Sequence, residues 1–254
     1  MSRFLRVAAA QFPVSADIAR NARAIEGQMR EAASRGAHVV QLPETSLSGY
    51  APVHLESYDA YPWGKLERAT QRICDEAGSL GIWTVLGTMR RGDETLPRNC
   101  LQVIDESGEI VGTYDKQRLY RSEKAYYSSG RDPLVVEIRG FRCGFLICYD
   151  NCFPELFETY RDMGVGLLFH SFHNAGNEGA SSIKDLMEAN LITRAADHQV
   201  WIAASNSSKP YSPLSARIVR PDGTTVRAKP HVAGIVVDDY PLAELGWTYD
   251  NRAG

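Results

Sequence analysis

The sequence predicts one α/β or α+β domain with helices on the outer faces of its sheets. Short apolar segments typical of strands alternate with longer amphipathic segments, which form two pairs of helices. The chain has 254 residues, of which 44% are hydrophobic, enough to build a sizeable core. Because no repeat or low-complexity linker divides it, we expect residues 1–254 to form a single domain.

The first half of the chain is predicted to alternate strands with helices. Apolar residues at three- and four-residue spacings predict a helix over residues 17–34, which Gly36 ends. A second helix follows Pro62, a residue that favours the first turn of a helix. The accompanying strands are predicted over residues 4–10, 39–42 and 82–87.

The second half is predicted to contain hairpins and further strand–helix units. Residues 106–109 (ESGE) separate two strands and give the first hairpin, and a second hairpin turns at residues 221–223 (PDG). A long polar loop covers residues 116–132. The other predicted elements are strands 101–105, 110–114, 133–138, 141–148, 165–169, 199–204 and 234–237, and helices 153–163 and 181–198.

Composition excludes several classes of function. The 28 Lys+Arg and 31 Asp+Glu give a formal charge of −3, which argues against binding to nucleic acid. The apolar runs are too short to cross a membrane, and the N-terminus has no secretion-signal pattern. Five cysteines are an odd number in a chain too large to need disulfides, so we expect free thiols and a cytoplasmic location.

The segment GFLICYDNCFPE (residues 144–155) places Cys148 at the end of an apolar strand, before a polar turn and a helix. This strand–turn–helix order is that of a nucleophile elbow. The helix N-terminus would favour a thiolate, and backbone N–H groups of the turn could bind a developing oxyanion. Most cysteines at strand ends are small packing residues, so this segment alone favours a packing role for Cys148.

Two charged residues also lie where strands end. Glu44 follows a strand in QLPETSLSGY, and Lys116 follows another in YDKQRL. Each residue type is usually a solvated surface group, so neither position is conclusive alone. A cysteine–histidine pair with His170 or His173 is an alternative for activating the thiol.

Taken together, the segments resemble the nitrilase superfamily of carbon–nitrogen hydrolases, in the amidase-like branch. The resemblance covers almost the whole chain and is most specific in the glutamate and cysteine segments. A second glutamate, Glu123, lies in the loop after the lysine, where the family has one. The matching segments are VAAAQ (7–11), LPETSLSGY (42–50), YDKQRL (114–119), GFLICYDNCFPE (144–155), RAAD (194–197) with Asn206, and SARIVRPDG (215–223).

The resemblance implies a four-layer α-β-β-α sandwich and a thiol amidase mechanism. Cys148 would be the nucleophile that forms a thioester, and Glu44 the general base. Lys116 and the backbone N–H of Tyr149 would stabilise the oxyanion, while Glu123 would orient the lysine or the substrate. The resemblance implies no metal or organic cofactor, a small-molecule amide as substrate, and a homodimer or higher homo-oligomer.

The substrate is only partly specified. Tyr149-Asp150 after the cysteine resembles amidases more than nitrile-hydrolysing members, and no arginine follows closely to bind a substrate carboxylate. We expect Tyr50, Phe172 and His173 to contact the substrate. Hydrolysis of an N-carbamoyl amide or a nitrile, and a catalytically silent binding protein, remain alternatives. A metal site using the cysteines and histidines is disfavoured, because no Cys-x-x-Cys pair is present.

Overall fold

A computed structural model describes residues 4–92, 96–175 and 178–241. These residues form two packed sheets with helices on both outer sides. The strands are β1 (Leu5–Phe12), β2 (Val39–Gln41), β3 (Trp83–Arg90), β4 (Arg98–Ile104), β5 (Ile110–Asp115), β6 (Val135–Ile138), β7 (Phe141–Ile147), β8 (Leu167–Ser171), β9 (Trp201–Ser207), β10 (Arg217–Val219), β11 (Thr225–Arg227) and β12 (Gly234–Tyr240). The helices are α1 (Ile18–Ser34), α2 (Trp63–Leu80), α3 (Pro154–Asp162) and α4 (Lys184–His198).

The first sheet has the order β5-β4-β3-β2-β1-β12, and the second has the order β6-β7-β8-β9-β10-β11. They join where β1 pairs with β9 at Gln11–Asn206 and Phe12–Ser207. Strands β3, β2, β1, β9, β8 and β7 all run parallel to their neighbours along this path. Their carboxyl ends therefore meet at one edge, where open α/β sheets usually bind ligands.

Packing separates the structure into four layers. Ile25 and Met29 of α1 and Ile73 of α2 pack against the outer face of the first sheet. The second core cluster lies between the sheets and continues to α3 and α4, with Phe145 and Phe169 stacked at its centre, their ring centroids 5.7 Å apart. This arrangement confirms the predicted α/β class and the outer position of the helices.

Helix boundaries follow local sequence signals. The Asp17 side chain accepts hydrogen bonds from the backbone N–H groups of Ala19 and Arg20 and so caps α1. Gly81 ends α2 in the left-handed conformation (φ 61°) that glycine adopts without strain. No helix in the described ranges is long and apolar enough to cross a membrane.

Three elements differ from their predicted forms. The helix predicted from residue 181 starts as an α-helix only at Lys184, after a 3₁₀ helix over Glu178–Ile183. The polar loop after β5 contains another 3₁₀ helix, Arg121–Ala125. The strand predicted to include Cys148 stops one residue earlier, because Cys148 has φ 45° and cannot continue a strand.

Candidate active site

Glu44 is positioned by hydrogen bonds that link the two sheets beyond the end of β2. Its backbone N–H donates to the carbonyl oxygen of Phe172, which follows β8 (3.2 Å). The preceding Leu42 carbonyl accepts from the hydroxyls of Ser171 (2.8 Å) and Ser205 (2.7 Å). A Cβ on Gly87 would lie 1.9 Å from the Pro43 carbonyl oxygen, so this turn requires glycine on the neighbouring strand.

Lys116 is fixed directly after β5. Its backbone N–H donates to the Asn99 carbonyl (2.9 Å), and its carbonyl accepts from the Gly130 N–H (2.7 Å). A Cβ on Gly130 would lie 2.2 Å from the carbonyl oxygen of Asp115, so only glycine fits at this point of the loop. The Lys116 side chain is fully buried.

Lys116, Glu44 and Glu123 form a fully buried cluster, which we call the charged group. The Lys116 Nζ lies 2.7 Å from Oε1 of Glu44 and 2.7 Å from Oε1 of Glu123. Asn99 Nδ2 donates to the same Glu44 oxygen (2.7 Å). The Tyr50 hydroxyl donates to Glu123 Oε1 (3.0 Å). The structure thus brings together three of the four predicted catalytic side chains in direct contact.

The two glutamates differ in how many of their carboxylate oxygens are hydrogen-bonded. Glu123 uses both, since its Oε2 accepts from the Tyr120 backbone N–H (2.6 Å). Oε2 of Glu44 is buried and has no hydrogen-bond partner in the described part of the chain. Burial raises the pKa of Glu44 to about 7, although Lys116 acts in the opposite direction. Burial lowers the pKa of Lys116, but the two carboxylates outweigh it and raise that pKa well above its ordinary value.

Cys148 begins a 3₁₀ helix, Cys148–Cys152, directly after β7. Its left-handed backbone (φ 45°) makes the turn a sharp elbow, a conformation that is uncommon for a non-glycine residue. Burial and the charge of Glu44 raise the pKa of the Cys148 thiol well above its ordinary value. The resting cysteine is therefore a thiol that needs a base to remove its proton.

Asp150 links the Cys148 turn to β5 and to the segment that follows it. Its Oδ2 accepts from the Tyr114 hydroxyl (2.8 Å) and from the Ile147 backbone N–H (2.9 Å). Its Oδ1 accepts from the Arg118 backbone N–H (2.8 Å). One buried carboxylate therefore fixes residues on both sides of the site, and burial raises its pKa to about 6. From the sequence, Asp150 only favoured an amide over a nitrile as substrate, and this structural role was not predicted.

Two asparagines also lie near the thiol, and neither was assigned a role in the site from the sequence. Asn174 Nδ2 lies 3.8 Å from the Cys148 Sγ. Asn206 Nδ2 donates to Asn174 Oδ1 (2.7 Å) and to the Leu214 carbonyl (2.8 Å), which orients the first asparagine. The signal available in the sequence was their position, since each lies at or just beyond the carboxyl end of a parallel strand.

The predicted substrate-contacting residues occupy different environments. The Tyr50 ring stacks on the His173 ring with centroids 4.8 Å apart, and the backbone N–H of His173 hydrogen-bonds to Cys148. Phe172 is buried in the core between the sheets and stacks on His170 (4.2 Å). The Tyr149 ring packs edge-on against Tyr120 and Phe153, and its backbone N–H lies in the first turn of the 3₁₀ helix.

The His170 ring contacts the backbone of the Cys148 turn and does not pair with the thiol. Its Nε2 lies 3.3 Å from the backbone carbonyl oxygen of Cys148, and burial lowers its pKa to about 3. His173 is also kept neutral, because burial lowers its pKa to about 3. Neither of these histidines has the geometry or the basicity of the cysteine–histidine alternative.

A second set, which we call the imidazole group, consists of the buried His173 and the half-buried His54 and Lys209. Within the described ranges, neither ring nitrogen of His173 has a hydrogen-bond partner. His54 Nδ1 accepts from the Tyr50 backbone N–H (3.1 Å), and its Nε2 lies 3.1 Å from Lys209 Nζ. Burial and the charge of Lys209 lower the pKa of His54 to about 4, so this ring is neutral. Burial also lowers the pKa of Lys209.

The five cysteines are free thiols. Cys152 is exposed, whereas Cys74, Cys100 and Cys143 are buried. Among the residues that the structure describes, no group of three or more His, Cys, Asp or Glu side chains could hold a metal ion.

Comparison with known proteins identifies the family of this chain. The family model for carbon–nitrogen hydrolases matches residues 6–248. The chain is 27% identical to the 2-oxoglutaramate amidase of Bacillus subtilis over 226 residues, which cover 84% of this chain and 82% of that protein.

Solved structures of a Nesterenkonia amidase from the nitrilase superfamily are also similar. One variant superimposes with a TM-score of 0.82 at 25% identity and covers 98% of this chain and 94% of that one. Another carries the acetamide moiety of fluoroacetamide covalently added at its active-site cysteine; it has a TM-score of 0.82, 25% identity and coverage of 93% and 90%. From the family match and the shared fold, this chain belongs to the carbon–nitrogen hydrolase family.

Proposed function

We propose that Cys148, Glu44, Lys116 and Glu123 are the catalytic residues of this chain. The protein is an amidase that hydrolyses the C–N bond of a small amide through a cysteine intermediate. The observation that carries the assignment of the base is the unpaired Oε2 of Glu44, buried beside a thiol whose pKa it raises. A carboxylate with a pKa near 7 is well suited to take a proton at neutral pH.

In the first half of the reaction, Glu44 takes the proton of the Cys148 thiol as the sulphur attacks the amide carbon. The carbonyl π electrons move to oxygen, and the oxyanion is stabilised by Lys116 and by the backbone N–H of Tyr149. Two of the three N–H donors of Lys116 are engaged by the glutamates, which leaves one for the oxyanion. Glu44 then gives its proton to the leaving nitrogen, so that ammonia departs and a thioester remains.

In the second half, water attacks the thioester carbon while Glu44 takes one of its protons. Collapse of the new tetrahedral intermediate breaks the C–S bond and releases the carboxylic acid. The proton on Glu44 returns to the Cys148 sulphur, which restores the resting thiol. Glu123 transfers no proton in this scheme: with both oxygens hydrogen-bonded, it fixes Lys116 and Tyr50.

The unpaired ring nitrogens of His173 support a role for the imidazole group in binding the acyl part of the substrate. A buried neutral imidazole with both nitrogens unpaired offers one donor and one acceptor to a ligand. His173 and Tyr50 are therefore the better candidates for contact with substrate, whereas Phe172 supports them from the core. We keep the single domain over residues 1–254, the cytoplasmic location and the homo-oligomer as proposals.

Ammonia release tests the function. The panel contains small aliphatic, aromatic and carbamoyl amides, 2-oxoglutaramate and one nitrile matched to an amide, each offered to wild type, Cys148→Ala and Cys152→Ala. We expect release from an amide by wild type and by Cys152→Ala, which loses an exposed thiol, and none from Cys148→Ala. Mass spectrometry should find the acyl group on Cys148. Release that survives in Cys148→Ala would contradict the proposal, and preference for the nitrile would favour the nitrilase alternative.

A further inference from the structure

A cavity lies at the sheet edge where β1 and β9 meet, lined in part by Gln11 and Ser207. Its volume is about 80 Å³, enough for several water molecules or a small anion. Gln11 forms part of its wall with a side chain that is already fully engaged: its Nε2 donates to the Lys229 and Val232 carbonyls, and its Oε1 accepts from the Ala216 N–H. The mechanism above uses none of the residues that line this cavity.

The cavity carries an excess of positive charge. Lys184, Arg217 and Arg227 line it, and among the described lining residues none is acidic. The nearest counter-charge is Glu188, whose Oε1 accepts from both Arg217 (2.5 Å) and Arg227 (3.3 Å). One carboxylate against three cations leaves an excess of two positive charges in this set. Arg217 is only 3% exposed, so its guanidinium is held in place and weakly screened by water.

Serine hydroxyls complete the lining. Ser207, Ser208, Ser212 and Ser215 all face the same cavity. Ser215 is 7% exposed, and its Oγ is buried without a hydrogen-bond partner in the portion of the chain that is described. A buried hydroxyl without a partner is unfavourable, and an oxygen acceptor in the cavity would satisfy it.

We propose that this cavity binds a small oxyanion, a phosphate or carboxylate group, between Lys184, Arg217, Arg227 and Ser215. Guanidinium groups match the paired oxygens of both anions, and a hydroxyl can donate to either. The site neighbours the catalytic thiol through a short chain of contacts. Leu214 lines the cavity, and its carbonyl accepts from Asn206, which orients the Asn174 that contacts Cys148.

Calorimetric titration with inorganic phosphate, and separately with acetate, tests the proposal. Sodium chloride keeps the ionic strength equal throughout, because the exposed cations are sensitive to screening. The test variants are Lys184→Met/Arg227→Met, which removes the two exposed cations, and Ser215→Ala, which removes only the unpaired hydroxyl. The control is Arg23→Met/Arg68→Met, which removes the same charge from exposed positions on α1 and α2.

We expect wild type and the control to bind phosphate alike, and the double variant to bind at least about tenfold more weakly. Ser215→Ala should also bind more weakly while its thermal stability is unchanged or higher, because a hydroxyl without a partner has been removed. Acetate binding with the same variant pattern would identify carboxylate as a ligand, and its absence would restrict the site to phosphate. No binding by wild type, equal binding by all variants, or equal loss in the control would overturn the proposal.

Discussion

On one side of Tyr50 lies the charged group, and on the other lies the imidazole group. Tyr50 touches both, through its hydroxyl on Glu123 and through its ring on His173. The charged group is fully buried and the imidazole group only partly, and their hydrogen bonding is opposite. In the charged group nearly every donor and acceptor has a protein partner, and the free ones are Oε2 of Glu44 and one N–H donor of Lys116. In the imidazole group, His173 has both ring nitrogens unpaired among the described residues.

The difference follows from the cost of burial. A buried ion without a partner costs several kcal/mol, so charges that must stay charged have to be paired inside the protein. A buried histidine avoids that cost by staying neutral and leaves a smaller penalty of about 1–3 kcal/mol for an unmade hydrogen bond. The charged group is thereby held in one arrangement, which fits the proton transfer proposed for it, while we propose that a ligand completes the imidazole group.

Of the two glutamate variants of the charged group, Glu44→Gln should have the larger effect on activity. The amide has nearly the same shape but cannot take the thiol proton, so we expect kcat to fall by about 1,000-fold, equivalent to about 4 kcal/mol. Glu123→Gln is the matched control within the same group. Because both oxygens of Glu123 are engaged in positioning, it should lose only about 10- to 100-fold. Equal losses in steady-state assays would contradict the separation of base from positioning residue.

Lys116→Met should be the most destabilising change. It removes the cation between two buried carboxylates, and breaking a buried pair in this way costs about 3–5 kcal/mol. Lys65→Met is the control, since its ion pair with Asp17 is 3.6 Å long and solvent-exposed, and such pairs contribute less than about 1 kcal/mol. Urea unfolding measures both, and similar midpoints for the two variants would show that the charged group does not depend on its lysine.

The charged group was largely predictable from the sequence, and the imidazole group was not. Glu44, Lys116 and Cys148 each lie at or shortly after the end of a strand, so chain order and the family resemblance located them. Glu123 was found through the resemblance, although its 3₁₀ helix was not predicted. These residues have sequence neighbours that mark them.

The remaining features depend on contacts between distant segments. Asp150 acts through Tyr114 and Arg118, which lie more than thirty residues away in the chain. His54 meets Lys209 across 155 residues, and no local pattern announces that meeting. The left-handed backbone at Cys148 also follows from tertiary packing, because strand propensity alone extends β7 through it.

The activity should depend on pH through Glu44. Its folded pKa of about 7 means that the base form is lost as the pH falls, so kcat/KM should decrease about tenfold per unit below 7 and level off above it. The residual activity of Glu44→Gln should lack this step. A wild-type pH–rate profile that stays flat from about pH 5 to about pH 8 would contradict the assignment of Glu44 as the base.

Ionisation of Glu44 should also make the stability of the protein depend on pH. Its folded pKa lies above its ordinary value of 4.5, so the native state keeps a proton that the unfolded chain releases. The contribution of Glu44 to the free energy of unfolding is therefore present below pH 4.5 and is lost as the pH rises towards about 7. Unfolding curves of Glu44→Gln should lack this loss, so its stability relative to wild type should improve between those pH values.

His173→Phe should have the smallest effect on stability and should act mainly on substrate binding. Phenylalanine keeps a ring against Tyr50 and removes the two unpaired nitrogens, so the free energy of unfolding should change by less than about 1 kcal/mol or rise. KM should increase about 3- to 10-fold with little change in kcat, because the lost hydrogen bond is to the bound substrate in ground and transition states alike.

His170→Phe is the control for that prediction, since this histidine is equally buried but its Nε2 already contacts the Cys148 carbonyl. There we expect lower stability and lower kcat, because the elbow itself loses a support. If His173→Phe instead behaves like His170→Phe, the imidazole group is part of the structural framework. The proposed contrast, in which the protein pairs the charged group and a ligand pairs His173, would then be wrong.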